Sequence, residues 1–379
     1  MRTFTFKGLF LTAVFMLLGC LSIQAADDDL ITKQITIKLD KAGTLPNKIG
    51  SNRKYQITNL KIVGEINGTD WEMIREMAGR DYQGNTTEGK LSVLDLSEAK
   101  IVKGGNSYYY GTKYGNTLYN YYTSNDKIGD SAFKNCSGLT SLTLPSSITE
   151  IGECAFFDCS GLTSLNLPSG ITKIGDGAFI YCTGLTSFTL PSGITKIGDG
   201  TFYECTGLTS LNLPAGITSI GESAFQNCSG LTSLNLPAGI TWIGDDAFLG
   251  CSGLTSLNLP AGITWIGESA FCRCSGLTSI YVYADKVPGI GSDAFRGCDA
   301  KKCILYVPKG TYDDYWLSDF SYFENIVEFE ATGIDKTTTS TDVEEVSRYS
   351  VNGQRLVGPT KGLNIVKYSD GSVKKVVVE

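Results

Sequence analysis

Residues 128–150 read IGDSAFKNCSGLTSLTLPSSITE, and this stretch decides the fold because near-copies of it follow at a constant spacing. The unit begins with an Ile-Gly pair that recurs every 23 residues, and then once more after one inserted residue. The pairs begin at Ile128, Ile151, Ile174, Ile197, Ile220, Ile243, Ile266 and Ile290. A fixed period of roughly 20 to 50 residues predicts a repeat protein, so the chain length does not give the number of domains.

The second half of each unit has the spacing of a leucine-rich strand. Leu139, Leu142 and Leu144 form the pattern L-x-x-L-x-L, which is the strand core of a leucine-rich repeat. One unit cannot fold alone, because ordering its backbone costs roughly 1 to 2 kcal/mol per residue and its few apolar side chains do not offset that. Stacked units cover one another's apolar faces. We therefore predict an α/β repeat solenoid, a right-handed superhelix with a ladder of parallel strands.

The full unit reads A-F-x-x-C-x-x-L-x-x-L-x-L-P-x-x-I-x-x-I-G, as from Ala132 to Gly152. This string resembles the BspA-like (Treponema pallidum type) leucine-rich repeat, found in surface and secreted proteins of Bacteroidetes and some protists. The resemblance covers residues 128–298 closely, and residues 64–70 are similar to the N-terminal part common in those proteins. It implies adhesion or interaction with a host or another surface. It implies no catalytic residues, because the family pattern specifies core positions only.

Composition excludes several classes of function. The chain has 32 basic and 39 acidic residues, a net charge of −7, and no histidine. An acidic protein is a poor partner for the phosphate backbone of nucleic acid. The lack of histidine excludes Ser-His-Asp and Cys-His nucleophiles, and it leaves zinc only all-cysteine and carboxylate sites. We expect no enzyme activity, no cofactor and no metal.

The N-terminus predicts export. Residues 1–25 carry basic residues, then an apolar run at 8–18 that is too short to span a bilayer, and they form a signal peptide. The sequence LLGC ending at Cys20 fits a lipobox, which would attach a lipid there, whereas IQA ending at Ala25 fits ordinary cleavage. Both remain open. We expect the protein at the cell surface or outer membrane, or secreted, with membrane contact only through that lipid.

The organisation of the chain follows from where the period holds. We predict a signal peptide at 1–25, an N-terminal cap with irregular repeats and a Tyr-rich insertion at 27–126, regular repeats at 127–298, a C-terminal cap at 299–333, a linker at 334–348 and a β tail at 349–379. In the N-terminal cap, Thr69 with Glu72 three positions on predicts a helix start. Residues 104–126 predict a long loop or hairpin standing off the solenoid.

Both ends of the array carry further signals. The patterns starting at Ile57 and Leu91, and the run Leu305 to Pro308, repeat the strand core and predict irregular or capping rungs. The apolar cover of the C-terminal end is expected from Tyr315, Trp316, Phe320, Tyr322 and Phe323. Asn352-Gly353 is a hairpin signal that predicts a small C-terminal β module. This tail is similar to the type IX secretion sorting signal of Bacteroidetes, though shorter.

Three columns of residues recur in the units. One cysteine per unit occurs at 136, 159, 182, 205, 228, 251, 274 and 298. Parallel stacking keeps these side chains too far apart for disulfides, so we expect small buried residues, with bridges left open for Cys272/Cys274 and Cys298/Cys303. An acidic residue follows each Ile-Gly pair from Ile128 to Ile266, and it is expected to cap a short helical turn. The repeated Thr-Ser and the outward Asn positions form a polar strand face, which fits a glycan, a peptide or plain solvent.

Departures from the repeat indicate where a ligand binds. Two tryptophans occupy one non-core column on adjacent units, and tyrosines occur between the phenylalanine and cysteine positions and in the insertion. Exposed aromatic side chains are typical of binding hot spots and sugar platforms. The candidate ligand-binding residues are Trp242, Trp265, Tyr108, Tyr109, Tyr110, Tyr114, Tyr181 and Tyr203. We expect a binding or adhesion protein with an extracellular or host protein as its ligand; the alternative is a carbohydrate-binding accessory of a polysaccharide-handling system.

Overall fold

The computed structural model describes residues 30–113, 117–330, 345–350, 355–356, 362–368 and 373–378. The predicted signal peptide with Cys20, the candidate Tyr114 and most of the predicted linker lie outside the described residues. The chain divides into two compact units, Met1–Ala331 and Thr332–Glu379. Each is described by itself.

The first unit begins with an irregular segment. Its elements are β1 (Ile35–Leu39), α1 (Leu45–Lys48), β2 (Asn59–Ile66), α2 (Gly68–Met77), β3 (Val93–Ile101), β4 (Gly104–Lys113) and β5 (Thr117–Thr123). β4 and β5 pair antiparallel and form the hairpin that was one of the two predictions for the insertion. β2 and β3 contain the irregular strand patterns and pair in parallel, which confirms them as rungs.

Short strands then alternate along the regular units. In chain order they are β6 (Lys127–Ile128), β7 (Ser141–Thr143), β8 (Glu150–Ile151), β9 (Lys173–Ile174), β10 (Ser187–Thr189), β11 (Lys196–Ile197), β12 (Ser210–Asn212), β13 (Ser219–Ile220), β14 (Leu234–Asn235), β15 (Trp242–Ile243), β16 (Ser256–Leu259), β17 (Trp265–Ile266), β18 (Ser279–Val282), β19 (Gly289–Ile290), β20 (Ile304–Pro308) and β21 (Asn325–Phe329).

These strands form two kinds of parallel ladder. The leucine ladder contains the orders β1-β2-β3-β7, β10-β12 and β14-β16-β18-β20-β21, and the isoleucine ladder contains β6-β8-β9 and β11-β13-β15-β17-β19. Within the regular units a strand residue pairs with its equivalent 23 positions later, as Leu234 does with Leu257, and 24 positions later at the inserted residue, as Ile266 does with Ile290. The predicted solenoid with a parallel strand ladder is confirmed.

The core is a set of stacked columns. The phenylalanine of each regular unit is buried and stacks on the next, with ring centroids 5.1 to 5.5 Å apart and interplanar angles of at most 13°. The leucine, isoleucine, alanine and cysteine columns are also buried. Because each column continues through the units, one apolar core extends along the ladder.

The rungs contain turns where the sequence predicted helical segments. Two residues of the first regular unit, Ser131 and Asn135, have φ of 55° and 63°, a left-handed conformation that an α-helix excludes. The N–H of Phe133 donates to Ala155 O in the next unit at 2.7 Å, not to a carbonyl four residues earlier. Helices are therefore short and few among the described residues, and the α part of the α/β prediction is wrong for the regular units.

The N-terminal helix starts two residues earlier than predicted. Asn67 is its cap: Asn67 Oδ1 accepts the N–H of Thr69 at 3.0 Å, and Asp70 Oδ2 accepts the N–H of Asn67 at 2.9 Å. The predicted cap, Thr69 with Glu72, is wrong because Asn67 and Asp70 already form the reciprocal pair.

Helix α2 closes the first regular unit with side-chain donors. Trp71 Nε1 donates to Ala132 O at 3.1 Å, and Arg75 Nη1 donates to Ser131 O and Ala132 O at 3.0 Å each. In later units the carbonyl oxygen equivalent to Ala132 O accepts a backbone N–H of the preceding unit, as Ala155 O accepts that of Phe133. Trp71 and Arg75 are fully buried, so the cap supplies the hydrogen bonds that a preceding rung would give.

The C-terminal end is covered by α3 (Tyr312–Trp316), a 3-10 turn (Asp319–Tyr322) and β21. Tyr315, Phe320 and Phe323 are fully buried, as predicted for an apolar cover. Trp316 and Tyr322 are exposed, and for them the prediction is wrong. The hydroxyl of Tyr322 donates to Cys298 O at 2.8 Å while 40% of the residue's surface stays exposed.

The second unit is a four-stranded antiparallel sheet. Its strands are β22 (Glu345–Ser350), β23 (Arg355–Leu356), β24 (Gly362–Tyr368) and β25 (Val373–Val378), in the order β23-β22-β24-β25. β22 begins at Glu345, so the last residues of the predicted linker at 334–348 belong to this sheet.

Candidate functional site

Trp242 and Trp265 form an exposed aromatic pair on the isoleucine ladder. They are register partners on β15 and β17, and 39% and 41% of their surfaces are exposed. The neighbouring Ile243 and Ile266 are fully buried, so strand alternation turns the tryptophans outward. The same column holds Lys196 and Ser219 in earlier units.

The ring of Trp265 rests on the backbone of the next rung. Gly289 is its register partner on β19. A Cβ at Gly289 would lie 2.6 Å from Trp265 Cε3, so the missing side chain leaves the room that the ring occupies. Trp265 therefore packs against the next rung while about two fifths of its surface stays exposed.

A second aromatic row lies on the turns of three consecutive units. Phe157, Tyr181 and Tyr203 make edge-to-face contacts, with centroids 5.7 and 5.8 Å apart. Tyr181 is 40% exposed and has φ of 58°, which is unusual for a bulky residue and points its side chain away from the core. Tyr203 is half-buried, and its surroundings raise the pKa of its hydroxyl, chiefly through desolvation.

Two of the candidate tyrosines in the insertion are buried. The hydroxyl of Tyr108 donates to Asp130 O at 2.8 Å, and its ring packs 6.3 Å from Trp71. Tyr109 lies under the guanidinium of Arg75, 4.8 Å from ring centroid to Cζ. Both side chains join the hairpin to the solenoid, so their assignment to the ligand-binding surface is wrong.

The exposed tyrosines of the hairpin are different ones. Tyr110 is half-buried, whereas Tyr119 and Tyr122 on β5 are exposed. Sequence reasoning counted both within the Tyr-rich insertion but did not select them. Alternation along β5 turns Tyr122 to the face opposite half-buried Tyr121, whose ring centroid lies 5.6 Å from that of Tyr109, but only the structure shows which face meets the solenoid.

An acidic groove of about 440 Å³ runs along the turns beside the hairpin. The acidic residues that line it follow the Ile-Gly pairs of successive units: Asp130, Glu153, Asp176, Asp199 and Glu222. Desolvation raises the pKa of Asp176, and the negative charges of Asp199 and Glu153 raise it further. The groove therefore concentrates negative charge, with Lys134 at one side.

The aspartates of this column join units instead of capping helices. Asp176 Oδ1 accepts the N–H of Asp199 at 3.1 Å, and Asp199 Oδ1 accepts the N–H of Glu222 at 2.9 Å. The predicted helix-capping role is wrong, because the acceptor serves an N–H of the next unit and not of its own turn. The acidic column therefore carries negative charge and also connects neighbouring units by hydrogen bonds.

The cysteine column is buried, as expected, and it also forms hydrogen bonds that the sequence did not reveal. The thiol of Cys205 donates to Phe179 O at 3.1 Å, and burial raises its pKa to about 12. The described cysteines are free thiols, including the pairs for which a bridge was left open. Among the described residues, no three His, Cys, Asp or Glu side chains are grouped as a metal ion requires.

The threonine hydroxyls of the polar strand face donate within the solenoid. Thr209 Oγ1 donates to Thr186 O at 2.9 Å, and Thr278 Oγ1 donates to Thr255 O at 3.0 Å. Each hydroxyl has one proton. These hydroxyls can therefore only accept hydrogen bonds from a ligand. This makes a general glycan-binding role of the strand face less favourable.

A sequence model described as the BspA type leucine rich repeat region matches residues 105–217 and 195–315, with six copies. Among curated proteins, none matches this chain. Within the described residues, no helix is long and apolar enough to cross a membrane.

Solved structures of bacterial leucine-rich-repeat proteins are also similar. A protein from Bacteroides ovatus is 27% identical, with 54% of this chain and 59% of that chain covered and a TM-score of 0.40. The T. pallidum leucine rich repeat protein is 28% identical, with 46% and 71% covered and a TM-score of 0.34. A leucine rich cell surface protein from Faecalibacterium prausnitzii is 22% identical, with 58% and 86% covered and a TM-score of 0.35. The aligned part is thus less than two thirds of the Bacteroides ovatus chain. Because the family match spans more than half of this sequence, the chain belongs to the BspA type leucine rich repeat family.

Proposed function

We propose that this chain is an exported scaffold that binds an extracellular or host protein through aromatic side chains that depart from the repeat. The observation that carries the proposal is the pair Trp242 and Trp265, side by side on adjacent strands and each about two fifths exposed. Tryptophan is enriched in interface hot spots because it offers a large contact area with one donor. Neither ring is needed to fill the core.

The surroundings of the pair suit a protein partner. Lys173 and Lys196 lie in the same column on earlier units, and both are exposed. The column therefore places charged side chains on one side of the tryptophan pair. An apolar centre with a polar rim is the usual composition of a protein interface. The candidates Tyr181 and Tyr203, on the turns, remain a predicted second contact area.

A protein is favoured over a glycan on the strand face because the threonine hydroxyls there already donate to the preceding unit. The acidic net charge of −7 disfavours nucleic acid as the partner. We assign the chain no catalytic step, in keeping with a family pattern that specifies core positions.

The test uses the full chain and the double variant Trp242→Ala/Trp265→Ala. Immobilised fibronectin, laminin and collagens are the probes, and surface plasmon resonance gives the affinities. We expect saturable binding to at least one of them and about a thirtyfold loss in the double variant, the size of a hot-spot effect. Trp316→Ala, which removes an exposed tryptophan from the C-terminal cap, is the matched control and should bind like the wild type.

Two results overturn the proposal. One is a bound protein for which the double variant keeps wild-type affinity. The other is binding to none of these proteins together with strand-face binding to neutral glycans, which supports the carbohydrate alternative.

Export to the cell surface or medium is part of the proposal and rests on the pattern of residues 1–25. Either a lipid on Cys20 or ordinary cleavage after Ala25, the sorting role of residues 349–379 and an origin in Bacteroidetes belong to it as well. Mass spectrometry of the native N- and C-termini, from cells and from medium, tests it. A lipid-modified Cys20 or a chain starting near Ala26 supports export, and an intact Met1 with residues 1–25 retained contradicts it.

A further inference from the structure

A shallow depression of about 470 Å³ lies on the N-terminal cap and is formed by cap residues alone. Helix α2, the loop after it and the two hairpin strands contribute to it. Its lining consists of Glu72, Tyr82, Gly105, Asn106, Ser107 and Tyr122. None of these residues belongs to the tryptophan pair or to the aromatic row on the turns.

Two tyrosine rings form its walls. Tyr82 is 39% exposed and Tyr122 is 55% exposed. The backbone at Tyr82 is tied to β4, because its carbonyl oxygen accepts the N–H of Tyr110 at 2.6 Å. Tyr122 faces away from Tyr121, which packs on the solenoid side of the hairpin. The walls therefore offer apolar ring surface that nothing in the described cap covers.

The floor combines donors and acceptors. Asn106 Nδ2 donates to Glu72 Oε2 at 3.1 Å, which leaves the amide oxygen, the second amide proton and the other carboxylate oxygen for a ligand. Gln83 Nε2 donates to the hydroxyl oxygen of Tyr82 at 3.1 Å, so that hydroxyl can donate its own proton outward. Hydrogen-bonding groups of both kinds thus lie between two aromatic faces.

The floor is also rigid. A Cβ at Gly68 would overlap Asn106 O, so the start of α2 and strand β4 touch backbone to backbone. Gly105 has φ of 75° and lies against the cap side chain of Asn67. The N–H of Asn106 donates to Thr69 Oγ1 at 3.0 Å. A site that is already ordered loses little entropy when it binds.

We propose that this depression binds a neutral oligosaccharide. A sugar ring presents apolar C–H faces to the two tyrosines and hydroxyl groups, which both donate and accept, to the Asn106–Glu72 pair. A lysine or arginine side chain would use only the acceptors and would leave the Asn106 proton and the Tyr82 hydroxyl without a partner. Because the depression offers both hydrogen-bond donors and acceptors, it favours a polyol over a cationic peptide.

The site is independent of the protein-binding surface proposed above, and the experiment keeps the two apart. The full chain is applied to an array of neutral oligosaccharides, and calorimetry with the strongest binder gives its affinity. We expect saturable binding that falls about tenfold in Tyr122→Ala and is retained in Tyr122→Phe, which keeps the ring. Asn106→Ala should also weaken binding, and Trp242→Ala should leave it unchanged.

The exposure of Tyr122 means that its substitution should not unfold the cap, and circular dichroism checks this. The proposal is overturned if no neutral oligosaccharide binds at millimolar concentration. It is also overturned if Tyr122→Ala and Asn106→Ala bind as tightly as the wild type, or if Tyr122→Ala loses a protein partner while no sugar binds.

Discussion

The thiol of Cys182 donates a hydrogen bond to the backbone carbonyl oxygen of Phe156, 26 residues earlier, at 3.1 Å. The same bond, of 3.1 to 3.2 Å, links Cys159 to Phe133, Cys205 to Phe179, Cys228 to Phe202, Cys251 to Phe225 and Cys274 to Phe248. Cysteine therefore has two roles in this column: it fills a small buried space, and it adds a second hydrogen bond to a carbonyl of the preceding unit that already accepts a backbone N–H.

Replacing Cys182 by alanine should lower the free energy of unfolding by about 1 to 2 kcal/mol, because the carbonyl of Phe156 keeps only the N–H of Cys159 as a donor and a small cavity forms. Urea unfolding followed by circular dichroism measures it. Cys154→Ala is the control: this residue is partly exposed and outside the column, so its change should stay within about 0.5 kcal/mol. Equal losses for the two variants would contradict the structural role.

Thiol labelling should also distinguish Cys154 from the buried cysteine column. Alkylation requires the thiolate, and burial raises the pKa of Cys205 and of Cys251 to about 12, so few of these thiols ionise near neutral pH. Cys154 has a raised pKa too, but it lines the acidic groove and is reachable. We expect native protein treated with iodoacetamide at mildly alkaline pH to be labelled first at Cys154 among the described cysteines, and faster as the pH rises. Peptide mapping gives the order, and uniform labelling would refute it.

Gly175→Ala should destabilise the solenoid by about 2 kcal/mol or more, because a Cβ there would lie 2.5 Å from the backbone nitrogen of Glu153 and force two rungs apart. Thermal unfolding measures the loss. Gly216→Ala is the matched control, since the nearest atoms to its Cβ are carbonyl oxygens at 3.8 Å. That variant should differ from the wild type by no more than about 0.5 kcal/mol. If both glycines tolerate alanine, rung spacing is not limited by these contacts.

Arg75→Met should destabilise the N-terminal cap by about 1.5 to 3 kcal/mol, because hydrogen bonds from a buried charged donor are lost. The variant leaves Ser131 O and Ala132 O without the guanidinium donor. Hydrogen exchange of the first regular unit, compared with that of the later units, measures the effect. Arg53→Met, at an exposed position, should leave exchange unchanged. Protection that is lost evenly along the chain would argue against a local role.

The ladder could be predicted from sequence because its apolar side chains recur at a fixed spacing. Leu139, Leu142 and Leu144 define a strand by spacing alone, and all three are buried in the structure. The turns could not be predicted, because Ser131 and Asn135 adopt positive φ without being glycine. Their hydrogen bonds go to the next unit, which a search for local capping patterns does not consider.

The candidate site was predictable only in part, for a physical reason. Trp242 and Trp265 were identified as non-core because they break a column whose other members are polar, and the structure exposes both; that they contact a ligand stays a prediction. Tyr108 and Tyr109 lie in a segment without a repeat, so nothing in the sequence told which face of the hairpin meets Trp71 and Arg75.

Closure of the first rung by α2, and of the last by α3 and β21, has an evolutionary consequence. Neither terminal element depends on how many identical turns lie between them, and each turn presents the same edges to its neighbour. Recombination between the near-identical gene segments can then add or delete whole turns without harming either end. We expect natural variants to differ in copy number by multiples of 23 codons, lengthening or shortening the exposed columns while the termini stay the same.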